Sequence, residues 1–207
     1  MRRKTRTARS KREQDWKSNF WIGITVTVIT GLVVAIVSGI YFGNMQGEIL
    51  KSQIDSSLRE AGSSLDDKRF EEAIDEYKSI LKIVSSKQFP DEYTRTQNNL
   101  GIAYGRLAGE KNKEANLEKA INAFQEALKI KTVESHSIDY AMTQNNLGAA
   151  YSGLAEVRDK ETNLEKAIKA YQEALKIRTI VSYPIDYAMS QYNLGTAYSD
   201  LAEVRDK

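Results

Sequence analysis

The chain has 207 residues, of which 30 are basic and 28 acidic, so its net charge is only +2. It contains no cysteine and one histidine. This composition excludes disulfides, thiolate metal sites, cysteine nucleophiles and a zinc site with two histidines from one chain. The glycine-rich loops that bind nucleotide phosphates are also absent from the sequence. We therefore expect a protein that is not an enzyme and that needs no cofactor and no metal.

Residues 1–17 form a basic segment with eight lysines and arginines and two acidic residues. The segment shows no apolar periodicity, which predicts a disordered tail. A basic run of this kind can also indicate nucleic-acid binding or nuclear targeting. Because a long apolar run follows directly, we interpret it as a cytoplasmic tail that flanks a membrane span, with no role for nucleic acid.

Residues 18–43 contain an uncharged run over residues 20–42, which is 23 residues long. At about 1.5 Å per residue such a helix measures roughly 34 Å, enough to cross a hydrocarbon core of about 30 Å. The alternatives are a buried soluble helix, which at this length would rarely lack any charge, and a cleaved signal peptide, whose apolar region is shorter and ends at a small-residue cleavage site. The pattern predicts a single transmembrane helix over 18–43. The basic flank would hold the N-terminus in the cytoplasm and place the rest of the chain outside it.

The remainder of the chain is repetitive. Residues 44–66 have a helical pattern without the repeated motif, and we predict a membrane-proximal helix or cap there. Residues 67–207 repeat with a period of 47. The segment QNNLG at 97–101 returns at 144–148 and, as QYNLG, at 191–195. A fixed period of this size is the signature of a repeat architecture.

Each repeat contains two helical patterns. In the best-defined copy the first runs over about 138–157 and the second over about 164–177, with apolar residues at three- and four-residue steps. The segment 158–163 between them has no apolar residue and predicts an exposed turn. One glycine recurs in each first helix, at Gly101, Gly148 and Gly195. Because a glycine costs about 1 kcal/mol in a free helix relative to alanine, its recurrence predicts the close approach of a neighbouring helix.

The motif N-L-G-x-x-Y on a first helix, followed by A-I-x-x-[YF]-x-x-A-L on a second, resembles the tetratricopeptide repeat. The usual unit of that family has 34 residues, and the longer unit found here is similar to the kinesin-light-chain-like type. The resemblance covers residues from about 61 to the C-terminus. It implies an all-α, right-handed α-solenoid whose concave face is lined by the first helices, here preceded by one transmembrane helix.

One asparagine per repeat precedes the leucine of this motif, at Asn99, Asn146 and Asn193. Adjacent helical residues point about 100° apart, so with the leucines in the core these asparagines would flank the concave side. An amide side chain both donates and accepts hydrogen bonds, which matches a peptide bond. In kinesin-light-chain-like repeats asparagines at this place form a peptide-binding ladder, and the resemblance carries that role to these three residues. The alternative is that they only bond neighbouring helices.

Further groove candidates lie close to this row. Asn98 and Asn145, one residue earlier, would add side-chain selectivity, and Arg95, Met142 and Met189 lie one helical turn earlier. We predict a membrane-anchored, non-enzymatic scaffold that binds a protein segment in the concave groove. Two alternatives stay open: a structural component that self-associates through the uncapped C-terminal helix, and a fragment of a longer repeat protein with an effector domain beyond Lys207.

Overall fold

The computed structural model describes residues 43, 45–130 and 137–206. The chain divides into two compact units, residues 1–52 and 53–207. In the first unit the described residues, 43 and 45–52, are helical. The unit boundary therefore falls inside the segment 44–66 that the sequence predicts as a cap.

The predicted membrane localisation is wrong, and the structure corrects it. Among the residues that the structure describes, no helix is long and apolar enough to cross a bilayer. The physical reason is that charged or amide side chains interrupt the apolar residues in each of these helices. A single-pass topology with a cytoplasmic N-terminus and extracytoplasmic repeats does not stand. The basic segment 1–17 and, except for Gly43, the predicted span 18–43 lie outside the described residues.

The second unit is built from helices throughout its described part. In chain order they are α1 (53–66, the part of the helix 45–66 that lies in this unit), α2 (Phe70–Leu81), α3 (Pro90–Ala108), α4 (Lys113–Leu128), α5 (Ser137–Ala155), α6 (Lys160–Leu175) and α7 (Pro184–Arg205). The starts of α3, α5 and α7 are 47 residues apart, as are those of α4 and α6. The predicted all-α architecture is confirmed.

The turn before each second helix differs from the sequence prediction. Helix α6 begins at Lys160, four residues before its apolar pattern. The first turn of the helix faces solvent and therefore carries no apolar residue. Asn112 and Asp159 precede α4 and α6 in the left-handed conformation, with φ values of 49° and 46°. Asparagine and aspartate tolerate this conformation better than most residues. The buried Asn163 closes the turn by donating from Nδ2 to the carbonyl oxygen of Arg158 at 2.7 Å.

The helices form a stack in which each one contacts its neighbours in the sequence. Helix α4 packs between α3 and α5, and α6 packs between α5 and α7. The first helices also touch directly, α3 with α5 and α5 with α7, whereas no contact joins α2, α4 and α6 to one another in the described residues. Since the first helices lie closer together than the second helices, they line the inner side of a solenoid-like stack.

Two glycines provide the closest approach between helices. A Cβ at Gly101 would lie 2.6 Å from the Phe124 ring, and a Cβ at Gly148 would lie 2.6 Å from the Tyr171 ring. In each repeat the ring of the second helix therefore occupies the space that a side chain on the first helix would need. This confirms the close approach predicted for these two glycines. At Gly195 no described atom lies within 4 Å of the corresponding position.

We expect Gly148→Ala and Gly195→Ala to change stability in opposite directions. The first should lower the free energy of unfolding by about 1–3 kcal/mol because the Tyr171 ring must move. The second should raise it by up to about 1 kcal/mol, since alanine favours the helix and meets no neighbour. Urea unfolding followed by far-UV circular dichroism measures both changes. A Gly148→Ala variant as stable as the parent would show that the ring contact does not constrain α5.

Candidate peptide-binding surface

The first helices present one exposed residue per repeat on the inner side of the stack. These residues are Arg95 on α3, Met142 on α5 and Met189 on α7. Seven residues further on, which is two helical turns, each helix again presents an accessible position. We define the inner surface by these two rows, Arg95, Met142, Met189, Ile102, Ala149 and Thr196.

Arg95 is engaged within the protein. Its guanidinium group forms an ion pair with Asp55 of α1. Both side chains remain accessible, 51% for Arg95 and 34% for Asp55, and such accessible pairs contribute little to stability. The pair is therefore open to exchange with another carboxylate.

The asparagine row Asn99, Asn146 and Asn193 lies one turn beyond the first row of the inner surface, and all three residues are partly buried. Asn99 lies beside the Tyr77 hydroxyl. Burial raises the pKa of Tyr77 and Asn99 opposes that rise, although the hydroxyl does not meet full hydrogen-bond geometry. Asn193 donates from Nδ2 to Oδ1 of Asn145 at 3.5 Å.

Asn146 differs from the other two members of the row. The residue equivalent to Tyr77 in its own neighbourhood is Phe124, which has no hydroxyl group. Within the described residues the Asn146 side chain makes no hydrogen bond. Both the donor and the acceptor of its amide are thus free of internal hydrogen bonds among the described residues.

Asn98 and Asn145 do not face the inner surface. They are only 4% and 5% exposed. Oδ1 of Asn98 accepts a hydrogen bond from Oγ1 of Thr143 at 3.3 Å, and Oδ1 of Asn145 accepts one from Oγ of Ser190 at 3.0 Å. These bonds connect α3 to α5 and α5 to α7. Asn98 and Asn145 therefore bond neighbouring helices.

Sequence reasoning missed the partners of these buried amides. Thr143 and Ser190 are 1% and 0% exposed, and Arg178, after α6, is 3% exposed. Nη1 of Arg178 donates to Oγ of Ser190 at 3.0 Å, and Nη2 lies 3.2 Å from Oδ1 of Asp186. Burial lowers the pKa of Arg178, and the Asp186 carboxylate opposes that shift. The sequence did carry one signal for these partners, namely a small hydroxyl residue at the same place in each first helix.

The described side chains on the inner surface are of a few chemical kinds. Within the described ranges, no cluster of three histidine or acidic side chains could hold a metal ion. The inner surface and the asparagine row beside it offer amides, methionine side chains and one ion-paired arginine. Such groups can bind a polypeptide through hydrogen bonds and adaptable apolar contacts.

Comparison with known families agrees with the helical repeat. Residues 146–179 match the family described as tetratricopeptide repeat. The matched segment begins at Asn146 in α5 and includes the whole of α6, so it joins one first helix to its second helix. No curated protein matches the chain. A tetratricopeptide repeat in an all-helical fold is typical of a non-enzymatic scaffold for protein–protein interaction.

The adjacent residues Asn145 and Asn146 should respond differently to alanine. Asn145→Ala removes the acceptor for Ser190 and Asn193 in a buried site, and should lower the free energy of unfolding by about 1–3 kcal/mol. Asn146→Ala removes no hydrogen bond within the described residues and should change it by less than about 0.5 kcal/mol. Chemical denaturation of both variants measures the difference. Equal losses would mean that Asn146 also has a structural role.

Proposed function

We propose that the chain is a scaffold whose inner surface binds an extended segment of another protein. The observation that carries this proposal is the row of partly buried asparagines, one on each of three first helices, of which α5 contacts both α3 and α7. The exposed residues Arg95, Met142 and Met189 accompany the row one turn away. The 47-residue spacing of α3, α5 and α7 also supports a long repeat of the kinesin-light-chain-like type.

The dimensions of the stack suit an extended ligand. Packed helices lie about 9 Å apart, so the three first helices present roughly 18 Å between their axes. An extended chain rises about 3.3 Å per residue, so about six residues would cross this distance. Successive asparagines would then meet every third residue of the ligand, which leaves the intervening side chains free to vary.

Asn146 would contribute most to such binding. Its Nδ2 group can donate to a ligand carbonyl while Oδ1 accepts from a ligand N–H, and no internal bond has to break first. Asn99 and Asn193 would exchange their contacts with Tyr77 and Asn145 for contacts with the ligand. The methionines adapt their shape to different side chains, so we expect recognition to depend more on the ligand backbone than on its sequence.

The test uses the full chain and a displayed library of short unstructured peptides. We expect peptides selected on the parent chain to bind Asn146→Ala about tenfold more weakly, the effect of losing one or two hydrogen bonds. The matched control is Asn122→Ala on the exposed side of α4, which should bind as the parent does. Fluorescence anisotropy with labelled peptides measures the affinities.

Two results would contradict the proposal. One is a selection that yields no peptide above background. The other is a set of peptides whose affinity is unchanged both by Asn146→Ala and by Met142→Glu, because no ligand on the inner surface could be indifferent to both changes.

A further inference from the structure

A buried arginine follows α6, and its partners form a chain of hydrogen bonds that reaches the asparagine row. Arg178 is only 3% exposed. Its Nη1 donates to Oγ of Ser190 at 3.0 Å, and Oγ of Ser190 donates to Oδ1 of Asn145 at 3.0 Å. The same Oδ1 accepts from Nδ2 of Asn193 at 3.5 Å. Four side chains are thus joined, and the last of them belongs to the asparagine row.

The arginine sets the direction of these hydrogen bonds. A guanidinium group has donors and no acceptor, and a hydroxyl group has one hydrogen to donate. The hydrogen of Ser190 therefore cannot point at Arg178, and it is directed to Asn145. Asn145 turns its oxygen towards Ser190, and that oxygen also receives the Nδ2 group of Asn193. Nδ2 of Asn193 is thereby held towards the protein, which leaves its Oδ1 as the group that can meet a ligand.

The hydroxyl groups at the equivalent places have other acceptors. Oγ1 of Thr96 donates to the carbonyl oxygen four residues earlier in its own helix at 2.6 Å, and Oγ1 of Thr143 does the same at 2.8 Å. Thr143 therefore shares its hydrogen between that carbonyl oxygen and Asn98. Among the described residues Ser190 makes no bond to its own helix, so its hydrogen goes to Asn145 alone.

Stability does not account for an arginine at this place. Two repeats earlier the equivalent residue is Val84, which has the same backbone hydrogen bond to the residue four positions before it and is also 3% exposed. An apolar side chain therefore fits there. Arg178 instead buries a charge, which Asp186 compensates at 3.2 Å, and leaves its Nε group without a hydrogen-bond partner in the described residues. A buried donor without a partner is unfavourable.

We propose that Arg178 determines which ligand segments bind beside the asparagine row. By holding Nδ2 of Asn193 towards Asn145, it makes Asn193 an acceptor, so the ligand residue beside Asn193 has to supply an N–H group. An ordinary peptide bond has that group, whereas proline lacks it, as does an N-methylated residue. Arg178 acts as a positioning residue, because it reaches the ligand only through Ser190, Asn145 and Asn193.

This inference rests on the proposed binding of an extended segment and adds a requirement at one position of that segment. It also refines the exchange of contacts expected for Asn193, which keeps its Nδ2 bond while Oδ1 gains a partner. Asn146 has no such restriction, since its amide makes no hydrogen bond within the described residues and can either donate or accept. Asn99 and Asn146 are partly buried like Asn193, although a further first helix follows each of them. The accessibility of Asn193 is therefore a property of the row.

The first test compares N-methylated peptides. Peptides selected on the full chain are synthesised with one N-methyl group at each position in turn, and fluorescence anisotropy measures their affinities. We expect one position at which N-methylation weakens binding about tenfold, the effect of losing one hydrogen bond, and at which Asn193→Ala abolishes that loss. In Arg178→Val the loss should fall below about threefold, because Ser190 and Asn145 can then exchange donor and acceptor.

Two further variants separate the direction of the hydrogen bonds from packing. Arg178→Lys keeps a group that only donates, so it should retain the loss on N-methylation. Arg178→Gln keeps a polar side chain that can also accept, so it should behave as Arg178→Val does. Equal effects of N-methylation in the parent and in Arg178→Val at every position would overturn the proposal.

The second test needs no ligand and separates this inference from the proposed function. NMR spectroscopy measures how fast side-chain amide hydrogens exchange with water. We expect those of Asn193 to exchange more slowly than those of Asn146, and Arg178→Val to shift the side-chain signals of Asn145 and Asn193 but not those of Asn146. Unchanged signals at Asn145 and Asn193 would overturn the inference even when peptides bind. A library without any binder would contradict the proposed function, whereas these signals would still decide the role of Arg178.

Discussion

The stack depends on the contact between an aromatic ring and a glycine. The rings of Phe124 and Tyr171 lie where Gly101 and Gly148 have no side chain, so each second helix approaches its first helix more closely than a Cβ would allow. This contact sets the spacing within a repeat. The alanine positions of the second helices, such as Ala120 and Ala167, are fully buried and extend the close packing on the other helix. A larger residue at any of these places would separate the helices.

Successive repeats are joined by buried hydrogen bonds, because the contact between ring and glycine lies within a repeat. The Thr143–Asn98 and Ser190–Asn145 hydrogen bonds connect successive first helices and are buried. A buried hydrogen bond is costly to leave unmade, so a rotated or shifted neighbour would be disfavoured. Apolar contacts are not directional, so it is these hydrogen bonds that orient one first helix relative to the next. Asn98 and Asn145 thus specify the arrangement of the helices, whereas Asn146 makes no hydrogen bond within the described residues.

The sequence predicted the repeat, the helix pairs and the close approach at Gly101 and Gly148, because side-chain periodicity and a recurrent glycine are local signals. It did not predict that α6 begins at Lys160, since a solvent-facing first turn has no apolar pattern. The sequence also could not tell which of Asn145 and Asn146 is buried. That depends on a hydrogen bond from a hydroxyl group about one repeat away in the chain. The predicted localisation rested on the length of one apolar run, which reports composition and not packing.

The way in which the helices contact one another also determines how the two ends of the unit communicate. Helix α5 touches α3, α4, α6 and α7, whereas α3 and α7 do not touch each other in the described residues. Any displacement of α3 relative to α7 must therefore change the contacts of α5, which lies between them. A ligand lying across all three first helices would connect α3 and α7 independently of α5. Such a ligand would act as a brace, and the curvature of the repeat unit would become stiffer when it is bound.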